Sequence, residues 1–422
     1  MHSQEKAREL DSKDPLRSFR DKFIIPVVDG KEHIYFLGNS LGLQPKSTGR
    51  YLQQILDQWA THGVESFFVG EEPWLKYHDQ LTGPLASIVG ALPSEIVVMN
   101  QLTVNLHLLM VSFYRPSGKR KKILCEAKAF PSDQYMFETH LKHYGFNPEE
   151  VLIEVSPENG EQTIRIEKIL EAIESNKDEL ALILWGGLNY YSGQVFDMQA
   201  ITEAGHRAGA IVGFDLAHAA GNIPLQLHQW DVDFACWCNY KYLNAGPGAI
   251  GAAYIHERFH HNNSIPRFAG WWGYEKETRF KMEKGFNPIK SAEGWQLSTP
   301  SLLLYASLRA SLEIFAEAGI DQLHQKRVQL NQFLWDVLDE INSSTPKQVI
   351  QLITPREPSQ RGCQVSMLML QNGKYVYEGL MKEGIIVDWR EPNVVRLAPV
   401  PLYNSFEEIW KFGNHLKKLI QG

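Results

Sequence analysis

Short apolar strands alternate with helical segments between about residues 95 and 255, and this alternation constrains the fold more than any other feature of the sequence. The strands are predicted at KKILCEA, LALILWGG, AIVGFD, VDFACWCN and GAIGAAYI. Helices are predicted at TVNLHLLMVSFY, SDQYMFETHLKHYG and DMQAITEAGHRAG, with N-caps at Thr103 and at Ser132 or Asp133. Strands connected through helices favour a mainly parallel sheet with helices on both faces.

The last part of the chain follows a different pattern, which begins with two long amphipathic helices at SLLLYASLRASLEIFAEAG and DQLHQKRVQLNQFLWDVLDEIN. Shorter strands and helices follow, and the final helix begins with a capping box formed by Ser405 and Glu408. We therefore predict a large domain over residues 46–310. A smaller α+β domain is predicted from residues 311–422 together with the N-terminal residues 1–45.

The composition excludes several classes of protein. Hydrophobic residues make up 44% of the chain and charged residues 22%, which is typical of a globular protein with a sizeable core. A formal net charge of −7 and a single basic run, GKRKK, argue against a nucleic-acid partner. No apolar run is long enough to span a membrane, and the N-terminus lacks the apolar centre of a secretory signal. The chain has only four cysteines, which predicts a reducing, cytoplasmic location. None of them forms a C-x-x-C motif, so we predict no metal site.

Two charged residues follow neighbouring strands and are candidates for one site. Asp215 comes directly after AIVGF, and Lys241 follows the next strand, 26 residues later. Ligands of open α/β sheets bind beyond the carboxyl ends of the strands. A carboxylate can hold a protonated pyridine nitrogen and an amine can bond to an aldehyde, so the pair indicates pyridoxal 5'-phosphate. Each residue also has an ordinary explanation, Asp215 as a helix cap and Lys241 as a surface lysine.

Further candidates for binding the cofactor and a substrate lie on other elements. Leu102 and Thr103 begin a helix, where backbone N–H groups can bind a phosphate. Phe130 is the candidate aromatic ring to cover the cofactor, and His218 lies three residues after Asp215, where a core histidine is the more common case. Arg396, on a strand of the small domain, either grips a substrate carboxylate with two hydrogen bonds or lies on the strand surface.

Several stretches of the sequence resemble those of a known enzyme family. The five longest are YFLGNSLGLQPK, MNQLTVNLHLL, EAKAFPSD, VGFDLAHAAGN and VDFACWCNYKYLNAGPG, and the shorter stretches GWWG and ETRF and the segment RLAPVPLYNSF also match. The sequence resembles the kynureninases, fold-type-I pyridoxal-phosphate enzymes of the aspartate aminotransferase superfamily, over nearly its whole length. The resemblance implies a large domain with a mainly parallel seven-stranded sheet between helices and a smaller α+β domain. It also implies a homodimer with a shared active site.

The resemblance implies roles for individual residues. Lys241 corresponds to the lysine that bonds to the cofactor aldehyde, and Tyr240 is implied both as the second catalytic residue and as a cofactor ligand. The other implied cofactor contacts are Leu102, Thr103, Phe130, Pro131, Ser132, Asp133, Gly186, Asp215, His218, Trp271 and Thr299. The implied substrate contacts are Asn39, Ser40, Phe67 and Arg396. Of these residues, Trp271 and Thr299 resemble those that reach the site from the partner subunit.

Three positions depart from the family pattern. Gly186 stands where some relatives have serine, Phe67 where a histidine usually faces the substrate ring, and Thr299 where some relatives have asparagine. The changes at Phe67 and Thr299 remove hydrogen-bonding capacity around the aryl ring. We therefore expect 3-hydroxykynurenine to gain little advantage over kynurenine.

The implied reaction is hydrolysis of L-kynurenine, or its 3-hydroxy form, to L-alanine and anthranilate, or 3-hydroxyanthranilate, in tryptophan degradation and NAD biosynthesis. One alternative is another fold-type-I enzyme, such as an aminotransferase or a cysteine desulfurase. A desulfurase needs a mobile catalytic cysteine, and none of the four lies in an evident Gly/Ser loop. The other alternative is a non-catalytic scaffold of the same fold, against which the set Asp215, His218, Tyr240 and Lys241 argues.

Overall fold

The computed structural model describes residues 3–421. The helices are α1 (Gln4–Lys13), α2 (Thr48–His62), α3 (Asp79–Val89), α4 (Leu102–Phe113), α5 (Pro131–His143), α6 (Pro148–Val151), α7 (Ile166–Ser175), α8 (Met198–Arg207), α9 (Leu302–Ala318), α10 (Ile320–Ser343), α11 (Gly373–Lys382) and α12 (Phe406–Gln421). The strands are β1 (Phe23–Ile24), β2 (Val27–Val28), β3 (Lys31–Glu32), β4 (Ile34–Tyr35), β5 (Gln44–Pro45), β6 (Ile96–Val98), β7 (Lys122–Glu126), β8 (Leu152–Val155), β9 (Leu180–Gly186), β10 (Ile211–Asp215), β11 (Phe234–Cys238), β12 (Gly251–Ile255), β13 (Ile350–Leu352), β14 (Val365–Met369), β15 (Ile385–Ile386), β16 (Asp388–Arg390) and β17 (Val394–Leu397).

Seven strands form the large sheet in the order β6-β12-β11-β10-β9-β7-β8. The strands from β8 to β11 pair in parallel, whereas β12 runs antiparallel to both of its neighbours. The mainly parallel seven-stranded sheet is therefore confirmed, with one reversed strand. All five residues of β11 are buried. Such a continuous apolar run is expected where helices cover both faces of a parallel sheet.

The register of the central strands brings their carboxyl ends to one edge. Gly186 at the end of β9 pairs with Asp215 at the end of β10, and Asp215 pairs with Cys236 in β11. Residues that follow these three strands therefore converge on the same edge, since the strands run in the same direction and β11 extends only to Cys238 beyond this level.

The predicted N-caps of α4 and α5 are wrong. Helix α4 is capped by Gln101, and Thr103 lies inside its first turn. Helix α5 begins at Pro131 after Phe130, so Ser132 and Asp133 also lie in the first turn. Proline is favoured at the first helical position because its φ is already helical and its missing N–H is not needed there.

The small sheet has the order β13-β14-β17-β16, with all pairings antiparallel, and helices α10, α11 and α12 pack with it around a second core. The N-terminal segment joins this core through Ala7 and Phe36. The predicted capping box of α12 is confirmed, because Ser405 Oγ accepts from Glu408 N and Glu408 Oε2 accepts from Ser405 N, both at 3.1 Å. The domain limits at residues 46 and 310 stay a prediction.

None of the helices between residues 3 and 421 combines the length and the apolar character needed to cross a membrane.

Candidate active site

A cavity of about 300 Å³ lies beyond the carboxyl ends of the central strands. It is lined by Gln101, Leu102, Thr103, Glu126, Phe130, Ser132, Asp133, Gly186, Leu188, Tyr190, Asp215, Ala217, His218, Tyr240 and Lys241. Ten of these residues are cofactor contacts predicted from the sequence. Of the remaining predicted contacts, Pro131, Trp271 and Thr299 are not part of this lining.

The amine of Lys241 is held inside this cavity by its neighbours. Its Nζ lies 3.0 Å from His218 Nε2, and it lies 5.9 Å from the ring centroid of Phe130 and 5.8 Å from that of Tyr240. Burial, and then the nearby charge of Lys241, hold the pKa of His218 well below its usual value. The imidazole is therefore neutral and can accept a hydrogen bond from the amine.

Two buried carboxyl groups, Asp133 and Asp215, also line the cavity. Asp215 Oδ1 accepts from Ala217 N at 2.7 Å, and the protonated carboxyl of Asp133 donates to that of Asp215. Burial raises the pKa of Asp215, and burial followed by the charge of Asp215 raises the pKa of Asp133. For Asp215, burial outweighs the nearby charge of Lys241, which acts to lower its pKa. The pair therefore favours a cationic ligand atom.

Glu126, the last residue of β7, is a third buried carboxyl that the sequence analysis missed. Burial first, and then the charge of Asp215, raise its pKa to about 7. Its Oε2 accepts from Asn189 Nδ2 at 2.9 Å, and a Cβ on Gly186 would lie 2.6 Å from its Oε1. The available signal was its position at the end of a predicted strand. The residues that follow the strands were the candidates predicted from the sequence, and Glu126 is instead the last residue within a strand.

The first turn of α4 supplies hydrogen-bond donors for an anion. Leu102 and Thr103 line the cavity, and the N-cap residue Gln101 makes no side-chain capping bond. The first N–H groups of a helix have no partner within the helix, and the helix dipole favours negative charge there. This end of the cavity fits a phosphate group.

Arg396 is buried behind the cavity. Its Nε donates to Asp388 Oδ2 at 2.8 Å, its Nη2 also contacts that oxygen, and its Nη1 donates to the carbonyl of Tyr190. The same carbonyl accepts from Gln364 Nε2 at 3.0 Å, and Gln364 Oε1 accepts from Asn39 Nδ2 at 2.9 Å. Arg396 directly, and Asn39 by way of Gln364, are therefore connected by hydrogen bonds to Tyr190, which lines the cavity.

The remaining predicted substrate residues lie outside the lining. Ser40 is exposed in the loop before Gly42, whose N–H donates to the carbonyl of Tyr240 at 2.8 Å. This loop therefore rests on the backbone next to Lys241. Phe67 packs its ring at 5.2 Å from that of Trp74 and at 6.0 Å from that of Trp272.

The residues present fit pyridoxal phosphate. The cavity is lined by an amine, by the carboxyl pair of Asp133 and Asp215, by the α4 N-terminus and by Phe130. Nδ1 of His218 is buried and has no hydrogen-bond partner within the described chain, so the site also contains an unused polar atom. This set matches an aldehyde, a pyridine nitrogen, a phosphate and an aromatic ring face.

Sequence comparisons place the chain among known proteins. A sequence model described as "Kynureninase C-terminal domain" matches residues 323–416. A protein named kynureninase from Flavobacterium psychrophilum is 53% identical over 412 residues, covering 98% of this chain and 97% of the relative. The kynureninase of Flavobacterium johnsoniae is 52% identical and covers 100% of this chain and 99% of its own, and that of Koribacter versatilis is 53% identical over 96% and 95%.

Solved structures share the fold at low identity. A C-DES mutant with glycine covalently linked to its PLP cofactor has a TM-score of 0.76 at 18% identity, covering 91% of this chain and 96% of its own. The apo cysteine desulfurase of Thermococcus onnurineus has a TM-score of 0.74 at 18% identity, with 100% and 99% covered. These structures confirm the predicted fold-type-I architecture. These structures do not support a desulfurase mechanism for this chain, because such a mechanism needs a mobile cysteine and all four cysteines here are buried. With relatives at half identity matching it almost from end to end, the chain belongs to the kynureninase family of pyridoxal-phosphate-dependent enzymes.

Proposed function

We propose that this protein hydrolyses L-kynurenine, or its 3-hydroxy form, to L-alanine and the corresponding anthranilate. The observation that carries the proposal is the placement of the Lys241 amine in one cavity with the buried carboxyl of Asp215. Bound pyridoxal phosphate supplies an electron sink for the substrate carbon attached to the amino group. The family relationship supports a role in tryptophan degradation and NAD biosynthesis.

The cavity residues divide between the ends of the cofactor. Lys241 would hold the aldehyde, and Asp215 with Asp133 would hold the ring nitrogen in its protonated form. The N–H groups of Leu102 and Thr103, together with Ser132, would bind the phosphate. The aromatic face of Phe130 would cover the ring. Pro131 contributes by starting α5 directly after Phe130.

Lys241, His218 and Tyr240 are suited to moving protons. Neutral His218 accepts a hydrogen bond from the Lys241 amine, with 3.0 Å between Nε2 and Nζ, and this bond orients the amine. Burial, with Cys238 nearby, raises the pKa of the Tyr240 phenol, so the phenol keeps its proton at neutral pH. We assign Lys241 as the group that removes the substrate α-proton and Tyr240 as the proton donor to the alanine fragment.

Arg396 is suited to the substrate carboxylate even though it is already anchored. A guanidinium has five N–H donors, and the bonds to Asp388 and Tyr190 use three of them. One N–H on each Nη atom is left for a second, bidentate partner. Asn39 and Ser40, in the loop that rests on Tyr240, would lie beside this partner.

The second proposal is a homodimer whose subunits share the active site. An aromatic surface formed by Phe67, Phe68, Trp271, Trp272 and Phe280 supports it. Ring centroids are 5.6 Å apart for Phe68 and Phe280 and 5.5 Å apart for Trp271 and Phe280. Phe68, Trp271 and Phe280 are 50%, 44% and 48% exposed, an apolar exposure typical of an interface.

Trp271 and Thr299 would reach the partner's cofactor site across this interface, since both are exposed and outside the cavity of their own chain. Phe280→Asp should shift the protein to monomers in sedimentation experiments, and Tyr375→Asp, a 57% exposed position on α11, should not. Mixing Lys241→Ala with Trp271→Ala subunits should restore part of the activity, because hybrid dimers contain one intact site. No regained activity would contradict the sharing of sites.

The reaction itself is tested by following anthranilate fluorescence after adding kynurenine to the purified protein with pyridoxal phosphate. We expect wild-type protein to release anthranilate and alanine in equal amounts. Conversion of cysteine or an amino-group transfer to a keto acid, in place of anthranilate release, would support the alternative enzymes. Failure to bind pyridoxal phosphate would support the scaffold. The free cysteines, with no disulfide among the described residues, support a cytoplasmic location.

A further inference from the structure

We propose that Glu126 and Asn189 form a positioning pair that holds residues 189–192 in place and thereby sets how Arg396 and Asn39 receive the substrate carboxylate. The inference rests on the proposed function of the site, and it adds two residues to which the sequence analysis assigned no role. Neither residue is proposed to touch the substrate.

Asn189 organises the turn in which it lies. Its Nδ2 donates to Glu126 Oε2 at 2.9 Å, and its Oδ1 accepts from Tyr191 N at 3.0 Å and from Ser192 N at 2.8 Å. The Ser192 hydroxyl donates to the same oxygen at 3.1 Å. The side chain therefore links the end of β7 to three donors of one turn, and Glu126 fixes which way the amide faces.

Residues of the small domain bind the carbonyls of the same turn. Gln364 Nε2 and Arg396 Nη1 both donate to Tyr190 O, and Ser366 Oγ donates to Tyr191 O at 2.6 Å. Thr354 Oγ1 donates to Ser192 O at 2.6 Å. A displacement of the turn would therefore move the guanidinium of Arg396, and through Gln364 it would move Asn39.

The carboxyl of Glu126 changes its charge near neutral pH, and this change affects its hydrogen bond with Asn189. It is 5% exposed, its Oε1 occupies the space where a side chain at position 186 would begin, and its pKa is raised to about 7. The titratable groups that face it from neighbouring elements are Asp215 on β10 and Asp133 on α5, both carboxyls. An ionised Glu126 accepts more strongly from Asn189 than a protonated one, because a charged acceptor makes the stronger hydrogen bond.

This arrangement predicts an effect on KM that varies with pH. Substrate binding through Arg396 should improve as Glu126 ionises, while kcat, which depends on Lys241, should change less. Replacing Glu126 with glutamine keeps an acceptor for Asn189 and removes the charge. Replacing it with alanine removes both.

The test compares Glu126→Ala, Glu126→Gln, Asn189→Ala and the double variant Glu126→Ala/Asn189→Ala. Glu154→Gln is the matched control, since Glu154 is an exposed carboxylate in the adjacent strand, in register with Cys125. We expect Glu126→Ala to raise KM for kynurenine roughly tenfold, as for loss of one charge-assisted hydrogen bond, with kcat changed by less than about threefold. The double variant should match the worse single variant, because the two residues act as one unit.

Glu126→Gln should keep a KM near that of wild type at low pH and lose the change in KM around pH 7. Two binding measurements stand beside the kinetics: the affinity of the cofactor-free protein for pyridoxal phosphate and the affinity of the loaded protein for L-alanine, read from its absorbance. The first should stay nearly unchanged in all variants, and the second should weaken in parallel with KM.

Three results would overturn the pairing. They are an unchanged KM in Glu126→Ala, additive effects in the double variant, and a loss of cofactor affinity with KM intact. If Glu126→Ala does not fold, an unchanged KM in Asn189→Ala, or a KM of Glu126→Gln that still changes around pH 7 as in wild type, would overturn it. A wild-type protein that releases no anthranilate would overturn the proposed function instead, and the alanine affinities would still decide the pairing.

Discussion

Nζ of Lys241 lies 3.0 Å from Nε2 of His218, and the two residues follow different strands of the large sheet. The contact places the amine under the influence of a buried, neutral imidazole. It also keeps the lysine side chain within the cavity, where its Nζ lies 5.8 Å from the ring centroid of Tyr240. An amine in this position is ready to act on a bound aldehyde or on a proton of the substrate.

Lys241→Ala is expected to fold normally and to lose turnover by several orders of magnitude, because the variant lacks both the covalent attachment and the base. Intact mass after borohydride reduction should show one cofactor bound to each wild-type chain and none to the variant. Lys119→Ala, in the exposed basic turn, is the control and should behave as wild type. Turnover at the wild-type rate in Lys241→Ala would rule out the assignment.

Asp215→Asn is expected to weaken cofactor binding by roughly tenfold or more, since a neutral amide no longer balances a protonated ring nitrogen. The measurement is a fluorescence titration of the cofactor-free protein with pyridoxal phosphate. Asp197→Asn serves as the control, because this exposed N-cap of α8, which accepts from Ala200 N at 3.0 Å, can keep its cap as asparagine. Equal affinity of Asp215→Asn and wild type would contradict the role of the carboxyl.

Glu126 should make the cofactor-free protein less stable as pH rises. The unfolded chain releases the Glu126 proton near pH 4.5, whereas the folded protein keeps it until about pH 7. The folded state therefore binds more protons between these values, and the free energy of unfolding falls across this window and stays lower above it. The loss is on the order of 3 kcal/mol.

Denaturant unfolding of wild type and Glu126→Gln at pH 5 and pH 8 measures this effect. We expect the variant to gain stability relative to wild type at pH 8, while Glu154→Gln should show no such difference. A wild-type protein that gains stability relative to Glu126→Gln as pH rises would show that the carboxyl is ionised in the folded state at low pH.

Phe67→His is expected to shift the preference toward 3-hydroxykynurenine, because it would restore a hydrogen-bonding ring among the aromatic side chains of Trp74 and Trp272. The ratio of kcat/KM for the two substrates should change by roughly tenfold, as when a site gains a partner for a substrate hydroxyl. Tyr375→His is the control, since Tyr375 is 57% exposed on α11 and lies outside the aromatic surface. A strong preference of the wild type for the hydroxylated substrate would contradict this expectation.

Much of the site could be predicted because the succession of strands and helices along the chain follows from local sequence patterns. The periodicity of AIVGFD and VDFACWCN predicts two strands, and parallel strands end at the same edge, so Asp215 and Lys241 were expected near each other. The structure places both around one cavity. Their roles with the cofactor are proposals that the variants above test.

The Glu126–Asn189 contact and the environment of Arg396 could not be predicted in this way. Glu126 and Asn189 are 63 positions apart, and no local sequence pattern distinguishes this glutamate from other glutamates at strand ends. Asp388 meets Arg396 because β16 and β17 pair with those two residues opposite each other. The register of this hairpin is set by the turn between β16 and β17 and by which strand faces are buried, and the apolar pattern of either strand alone does not show it.

The N-terminal helix shows the same limit. Asp11 Oδ1 and Oδ2 accept from Phe406 N at 2.8 Å and from Glu407 N at 3.0 Å, so α1 supplies a cap for α12 from almost the other end of the chain. The sequence contains the capping box of α12, whereas Asp11 is recognised as a cap only when the two helices are packed together.

The sequence by itself determined the order of strands and helices, the parallel sheet and the edge at which polar residues collect, because these follow from the spacing of apolar side chains along a short stretch of chain. Only the tertiary structure decided which buried carboxyls face each other, which carbonyl Arg396 binds and which pKa values shift. Those properties depend on distances of a few ångströms between residues far apart in the chain, and on the water that packing removes from around them.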